Sequence, residues 1–173
     1  MDFAGKRILI VFFSKKGENW YTHGLADLSE GNTAKMAKII QKNLGGDLFE
    51  IIRKEPYPNG YYACCDEAKK EMKTLSCPEL LEMKSVKDYD VIFLGYPTWW
   101  GTLPRPLFTF LDANDFHGKT LIPFNTSEGS GFGHGVEDLK KTCPGVNLLK
   151  GLALPGHAVD GSEQEIATWL KNL

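Results

Sequence analysis

The sequence predicts an α/β protein in three layers, a doubly wound, five-stranded parallel sheet in the order 2-1-3-4-5. Two observations carry this. Apolar runs of strand length alternate five times with amphipathic segments of helical period. The clearest runs, Ile8–Phe13 and Val91–Leu94, are apolar at every position, as strands buried on both faces are. Right-handed crossovers leave few topologies for such a chain, and this order is the one they favour. No repeat, low-complexity tract or linker interrupts the pattern, so residues 1–173 are expected to form one domain.

The first strand is read as Arg7–Phe13. The helix after it starts near Asn32, carries Met36, Ile39, Ile40 and Leu44 on one face, and stops at Gly45-Gly46. Asp47–Ile52 is the second strand, and Pro56–Gly60 is turn chemistry. Tyr61–Leu75, rich in Ala, Glu and Lys, is a helix ended before Pro78. Asp90–Gly95 is the third strand, with a short helix from Leu103 or Pro104 to Leu111. Lys119–Asn125 is the fourth strand, Val136–Thr142 a helix, and Val146–Leu154 the last strand, kinked at Gly151. Ser162–Leu173 closes the chain, with Ser162 and Glu165 spaced as a capping box.

Composition excludes several classes. A net charge of -2 lacks the basic stripe of a nucleic-acid binder. No apolar run approaches the ~20 residues that span a bilayer, and no cleavage site follows Ile8–Phe13. A soluble cytoplasmic protein is expected, without membrane or nucleic-acid partners. Cys64, Cys65, Cys77 and Cys143 match no zinc spacing and read as free thiols, and the four histidines lack ligand spacing. No metal site is expected.

In an open parallel sheet, ligands bind beyond the carboxyl ends of the strands, where the strand order reverses. The loops leaving strands one, three and four meet there, and they are the three unusual stretches of the chain. Ser14–Ala34 contains Gly31-Asn32-Thr33 at a helix start, where free amides and the Ser14 and Thr33 hydroxyls suit a phosphate. Tyr96–Gly101 offers the paired indoles of Trp99 and Trp100 as flat stacking faces. Thr126–Gly133 offers hydroxyls and glycines whose backbone can lie along a ring edge. A phosphorylated, planar, largely aromatic ligand would use all three. The Gly129–Gly135 run is not a dinucleotide fingerprint, because its further glycine is missing and it follows the fourth strand. Walker A and the GxSxG elbow are absent.

Gly95–Pro104, reading Gly-Tyr-Pro-Thr-Trp-Trp-Gly-Thr-Leu-Pro, and Gly31-Asn32-Thr33 resemble the flavodoxin family, in its bacterial branch with a Trp-Trp-Gly second loop. The resemblance spans nearly the whole chain. It implies a flavodoxin-like fold holding FMN without a covalent bond. Carried onto matching positions, Ser14, Asn32, Thr33 and Ala34 would hold the phosphate. Pro97, Thr98, Trp99, Trp100 and Gly101 would line the ribityl chain and one ring face, with Gly101 near flavin N5. Thr126, Ser127, Glu128, Gly129, Ser130 and Gly131 would lie along the other side.

Two features depart from the family pattern. Lys15–Glu30 is an insertion before Gly-Asn-Thr, expected to fold over the flavin or to form a dimer contact. The near-neutral charge lacks the strong acidity with which electron carriers dock to basic partners. The leading expectation is an FMN-binding redox protein, monomer or homodimer, in which the flavin carries the chemistry and no side chain acts as acid or base. It would pass electrons to a partner protein. The alternative enzyme is an FMN-dependent NAD(P)H oxidoreductase acting on a quinone, nitro or azo acceptor, a small aromatic molecule. A cofactor-free binding module of the same fold would need an acidic pocket after the first strand, where Phe12-Phe13-Ser14 stands.

Overall fold

The computed structural model describes residues 1–173. Its parallel sheet is built from β1 (Ile8–Phe12), β4 (Asp47–Glu50), β5 (Val91–Pro97), β6 (Thr120–Ser127), β7 (Asn147–Leu148) and β8 (Leu152–Pro155). The order is β4-β1-β5-β6, with β7 and β8 both on the outer side of β6. This is the order 2-1-3-4-5, with the fifth strand in two pieces.

Alternation along the strands divides the core. Leu9, Val11, Ile92, Leu94, Tyr96 and Leu121 face one layer, packed with Leu103, Leu107, Phe110 and Leu139. Ile8, Ile10, Phe12, Val91, Phe93, Ile122 and Phe124 face the other, with Met36, Ala37, Ile40, Ile166 and Leu170. Helices α3 (Arg105–Asp112) and α4 (Gly135–Thr142) therefore cover one face, while α1 (Asn32–Leu44) and α5 (Glu163–Lys171) cover the other. Helix α2 (Tyr61–Thr74) packs beside α3. No helix is long and apolar enough to cross a membrane.

Three sequence expectations change. The Lys15–Glu30 insertion contains an antiparallel hairpin, β2 (Gly17–Tyr21) with β3 (Gly24–Leu28), turning through Thr22-His23. Ser162 does not form the capping box. Its backbone sits near φ -88°, ψ 7° without a side-chain cap bond, and its hydroxyl turns back to donate to the Val159 carbonyl. The last strand is broken, not merely kinked. In a parallel strand both polar backbone groups of a residue face one side and alternate along the chain. The Leu121 carbonyl accepts the Leu149 amide on the β7 side, so Pro123, two residues on, faces the same neighbour with no N–H to give. Gly151 crosses that gap so closely that a Cβ would lie 2.2 Å from the Pro123 carbonyl oxygen.

This crossing sets a test. Gly151→Val should destabilise the protein by about 1–3 kcal/mol, the usual range for forced overpacking, read from the urea midpoint. An unchanged midpoint would mean that the edge gives way freely.

Candidate functional site

The carboxyl ends of β1, β5 and β6 bring the three loops together. Gly31 precedes α1 in extended conformation, with no side-chain cap bond. It lies so near the first strand's exit that a Cβ there would meet the Ser14 Oγ at 2.2 Å and the Lys15 carbonyl oxygen at 2.6 Å. Only glycine fits. In the first turn of α1 the Ala34 amide donates to the Ser14 Oγ at 3.1 Å, and Lys35 begins the backbone ladder to Gly31. The amides of Asn32 and Thr33 find no acceptor within the protein. Two free amides at the positive end of a 13-residue helix form an anion cradle.

The side chains there are already arranged. The buried Thr33 hydroxyl meets the Thr126 hydroxyl at 2.8 Å, joining α1 to β6. The Tyr21 hydroxyl donates to the Asn32 Oδ1 at 3.0 Å, tying the hairpin to the helix start. From the other end of the hairpin, the Glu18 carboxylate accepts the Tyr61 amide at 2.9 Å, at the first residue of α2. The inserted hairpin thus braces the starts of two helices.

The second loop is a tight turn. Trp99 and Thr102 exchange backbone bonds of 3.0 and 3.1 Å, and Trp100 and Gly101 between them both take positive φ, 50° and 85°. That pair of values defines a primed turn, in which a bulky residue such as Trp100 is strained. The two indoles part company. Trp99 stands edge-on to Phe13 and Tyr57, with centroids 5.2 and 5.1 Å away. Trp100, 48% exposed, donates its indole N–H to the Cys65 carbonyl at 3.0 Å and carries the Lys69 ammonium 4.7 Å over its ring. The Gly101 carbonyl is held by the His134 amide at 2.6 Å.

The third loop is bound to the second. The Asn125 amide group donates to the Tyr96 carbonyl and the Thr98 hydroxyl, both at 2.8 Å, and the Thr98 hydroxyl donates on to the Gly131 carbonyl. A Cβ on Gly133 would lie 2.1 Å from the Gly101 oxygen. Here a glycine admits a neighbouring loop. The Glu128 carboxylate is clasped by His157, through the backbone amide at 3.0 Å and the ring Nδ1 at 2.7 Å.

A crevice of about 220 Å³ gathers much of the expected set: Asn32, Thr33, Pro97, Thr98, Trp99, Thr126, Ser127, Glu128 and Ser130. A larger cleft of about 470 Å³ adjoins it through Lys15, Asn19, Tyr61, Thr98 and Trp99, and Trp100 lines that cleft alone. Ser14 and Ala34, joined by their hydrogen bond, also line a neighbouring cavity with Phe13, Glu50 and Tyr57. Gly101, Gly129 and Gly131 line neither the crevice nor the cleft. Sequence reasoning missed Lys15, Asn19, Trp20, Tyr61 and Gly156 in the crevice wall. Trp20 and Tyr21 in the insertion were the only signal toward them.

An open, doubly wound sheet with a polar anion cradle and an aromatic wall at its switch point is an α/β architecture whose loops can hold a ligand there. More narrowly, the chain belongs to the flavodoxin family, whose model, described as flavodoxin, matches residues 25–173. Flavodoxin 1 of Escherichia coli K12 is 26% identical over 131 residues, 73% of this chain. The match spans only 61% of that relative's length. A crystal structure of a Bacteroides uniformis protein assigned as a flavoprotein superposes with a TM-score of 0.77, at 30% identity, covering 96% of this chain and 99% of that one. A Lactobacillus acidophilus flavoprotein solved in complex with FMN shares the fold, with a TM-score of 0.65 at 21% identity over 94% of this chain and 99% of that one.

The closeness of Gly31 to Ser14 gives a direct check. Gly31→Ala should cost about 1–3 kcal/mol of stability by overpacking, and its urea midpoint should fall accordingly. A midpoint equal to wild type would show that the first loop yields without strain.

Proposed function

We propose that this protein binds FMN non-covalently and carries electrons through it, passing them to a partner protein in the cytoplasm. The observation that carries the reading is the pair of unpartnered α1 amides, Asn32 and Thr33, opening onto a crevice that three loops line jointly. Membership of the flavodoxin family supports the same cofactor. The four free cysteines fit a reducing compartment.

The residues present suit the phosphate. Its charge would meet two backbone amides and the hydroxyls of Thr33, Thr126 and Ser127, with no cation needed in contact. Ser14 keeps its own O–H proton free while accepting the Ala34 amide, so it can also donate. Asn32 is held in one orientation by Tyr21. Trp99, braced by Phe13 and Tyr57, presents an apolar wall to the rest of the molecule, and Ser130 and Glu128 line the same crevice. When bound, the flavin supplies one- and two-electron transfer. The chain binds it, orients it and limits water on the Trp99 side.

Two measurements test this. Purified protein titrated with FMN should retain about one flavin per chain after gel filtration, visible by absorbance. Failure to retain it would refute the cofactor assignment. Thr33→Ala should weaken FMN by about 1–2 kcal/mol, the worth of a hydrogen bond to a charged group, measured by titration calorimetry. Equal affinity would reduce Thr33 to a strut between α1 and β6.

A further inference from the structure

Behind the wall that Trp99 makes for the crevice lies a cluster of charged and aromatic groups that ligand binding does not use. The Tyr57 ring stands edge-on to the Trp99 indole, with centroids 5.1 Å apart. Its hydroxyl donates to Oε2 of Glu71, a residue of α2 that is only 8% exposed. The other Glu71 oxygen lies 3.5 Å from the Arg53 guanidinium. That guanidinium also pairs with Glu67 and sits 4.4 Å over the Tyr57 ring. Indole, phenol and carboxylate thus follow one another in contact. The last of them lines a separate cavity of about 650 Å³, which shares no residue with the crevice.

Burying a carboxylate to anchor a phenol costs more than a neutral acceptor would. What the carboxylate adds is basicity. Burial raises the Glu71 carboxyl above its ordinary range, against the Tyr57 hydroxyl and the Arg53 charge, which pull it down. Burial first, and Glu71 second, push the Tyr57 phenol far up, so its proton stays in place while the ring is neutral. Loss of an electron reverses that order, because an oxidised phenol is a strong acid. The guanidinium over the ring adds to this, since it opposes a cation radical at Tyr57 and does not oppose a neutral one.

We propose that Trp99, Tyr57 and Glu71 form a relay that carries a one-electron oxidising equivalent out of the crevice wall and holds it as a neutral tyrosyl radical at Tyr57. Trp99 gives one electron to a one-electron oxidant in the crevice, and Tyr57 returns one electron to Trp99. As it does so the Tyr57 O–H bond breaks, and the proton forms an O–H bond on Glu71 Oε2. One electron has then passed from Tyr57 to the oxidant and one proton from Tyr57 to Glu71, and Trp99 ends unchanged. Glu67 keeps Arg53 paired once Glu71 is neutral. The crevice wall is thereby spared an oxidised indole. The relay rests on the flavin reading in one respect: the oxidant in the crevice is photoexcited FMN.

Laser-flash absorption spectroscopy of the FMN-loaded protein reads the indolyl radical in the green and the tyrosyl radical in the violet. The flash is visible light, which only the flavin absorbs, and ferricyanide is present to remove the electron before it returns. Wild-type protein should convert the first radical into the second, about twofold or more slowly in heavy water, since a proton moves in the step. Tyr57→Phe, which keeps a ring beside Trp99 but has no proton to give, should lower the tyrosyl yield about tenfold. Glu71→Gln still accepts the hydroxyl but is no base, so the conversion should slow about tenfold or more. A purely structural Glu71 would leave both the rate and the isotope effect in place. No tyrosyl radical in the wild type, or equal yield and rate in all three proteins, would overturn the proposal. Should the protein retain no FMN, pulse radiolysis with azidyl radicals, which oxidise indoles directly, takes the place of the flash. Indole-to-phenol transfer that again depends on Tyr57 and Glu71 would then uphold the relay and count against the flavin reading alone. Equal transfer in all three proteins would overturn the relay as well.

Discussion

The site depends on one contact between two pieces of backbone. Gly31 lies against Ser14 and Lys15 with no room for a Cβ, which places the start of α1 at the exit of β1. The rest follows from that position. The Ser14 hydroxyl can reach the Ala34 amide, Thr33 can reach Thr126 across the sheet, and Asn32 is left where the hairpin can hold it. A longer or looser connection would still fold as a helix on a sheet, but its first amides would not share a crevice with the loops after β5 and β6. The price of this fit is a backbone that tolerates one residue type at its centre.

The second and third loops solve a different problem, that of keeping irregular chain in one shape. They use each other. Asn125 and Thr98 relay hydrogen bonds from β6 through the second loop to Gly131, and the Gly133 backbone sits on the Gly101 carbonyl. Glu128 is fixed from the opposite side by the turn after β8. The ligand-facing surface is therefore rigid although little of it is helix or strand, which reduces the ordering cost that a flexible site would incur on binding.

Much of this was legible in the sequence, for identifiable reasons. Helix α1 begins and ends where Gly31-Asn32-Thr33 and Gly45-Gly46 indicate, and the buried strands stand out because both their faces are apolar. The hairpin was not legible. Its two faces are half-buried Asn19, Tyr21, Ala26 and Leu28 against exposed Glu18, Trp20, Leu25 and Asp27, so neither alternates cleanly. The break in the last strand came from Pro123 in a neighbouring strand, a non-local cause that no window of sequence contains. The parting of Trp99 from Trp100 likewise needed α2, whose Cys65 carbonyl draws the second indole away. Ser14 and Ala34 were grouped with the phosphate residues by position in the chain. The structure joins them by a hydrogen bond across the first turn of α1, a contact between residues twenty apart that no local window contains.

The missing amide at Pro123 also bears on how the molecule breathes. Beyond the gap, β8 is held to β6 only over Leu152–Pro155, an edge segment with no strand outside it. Such segments open at lower free energy than the strands they flank, and they open as units. The turn that clasps Glu128 follows β8 directly, so a fluctuation that frees the edge would also free one end of the third loop. A proline three residues before Thr126 thus couples the local exchange dynamics of the sheet's rim to the wall of the crevice.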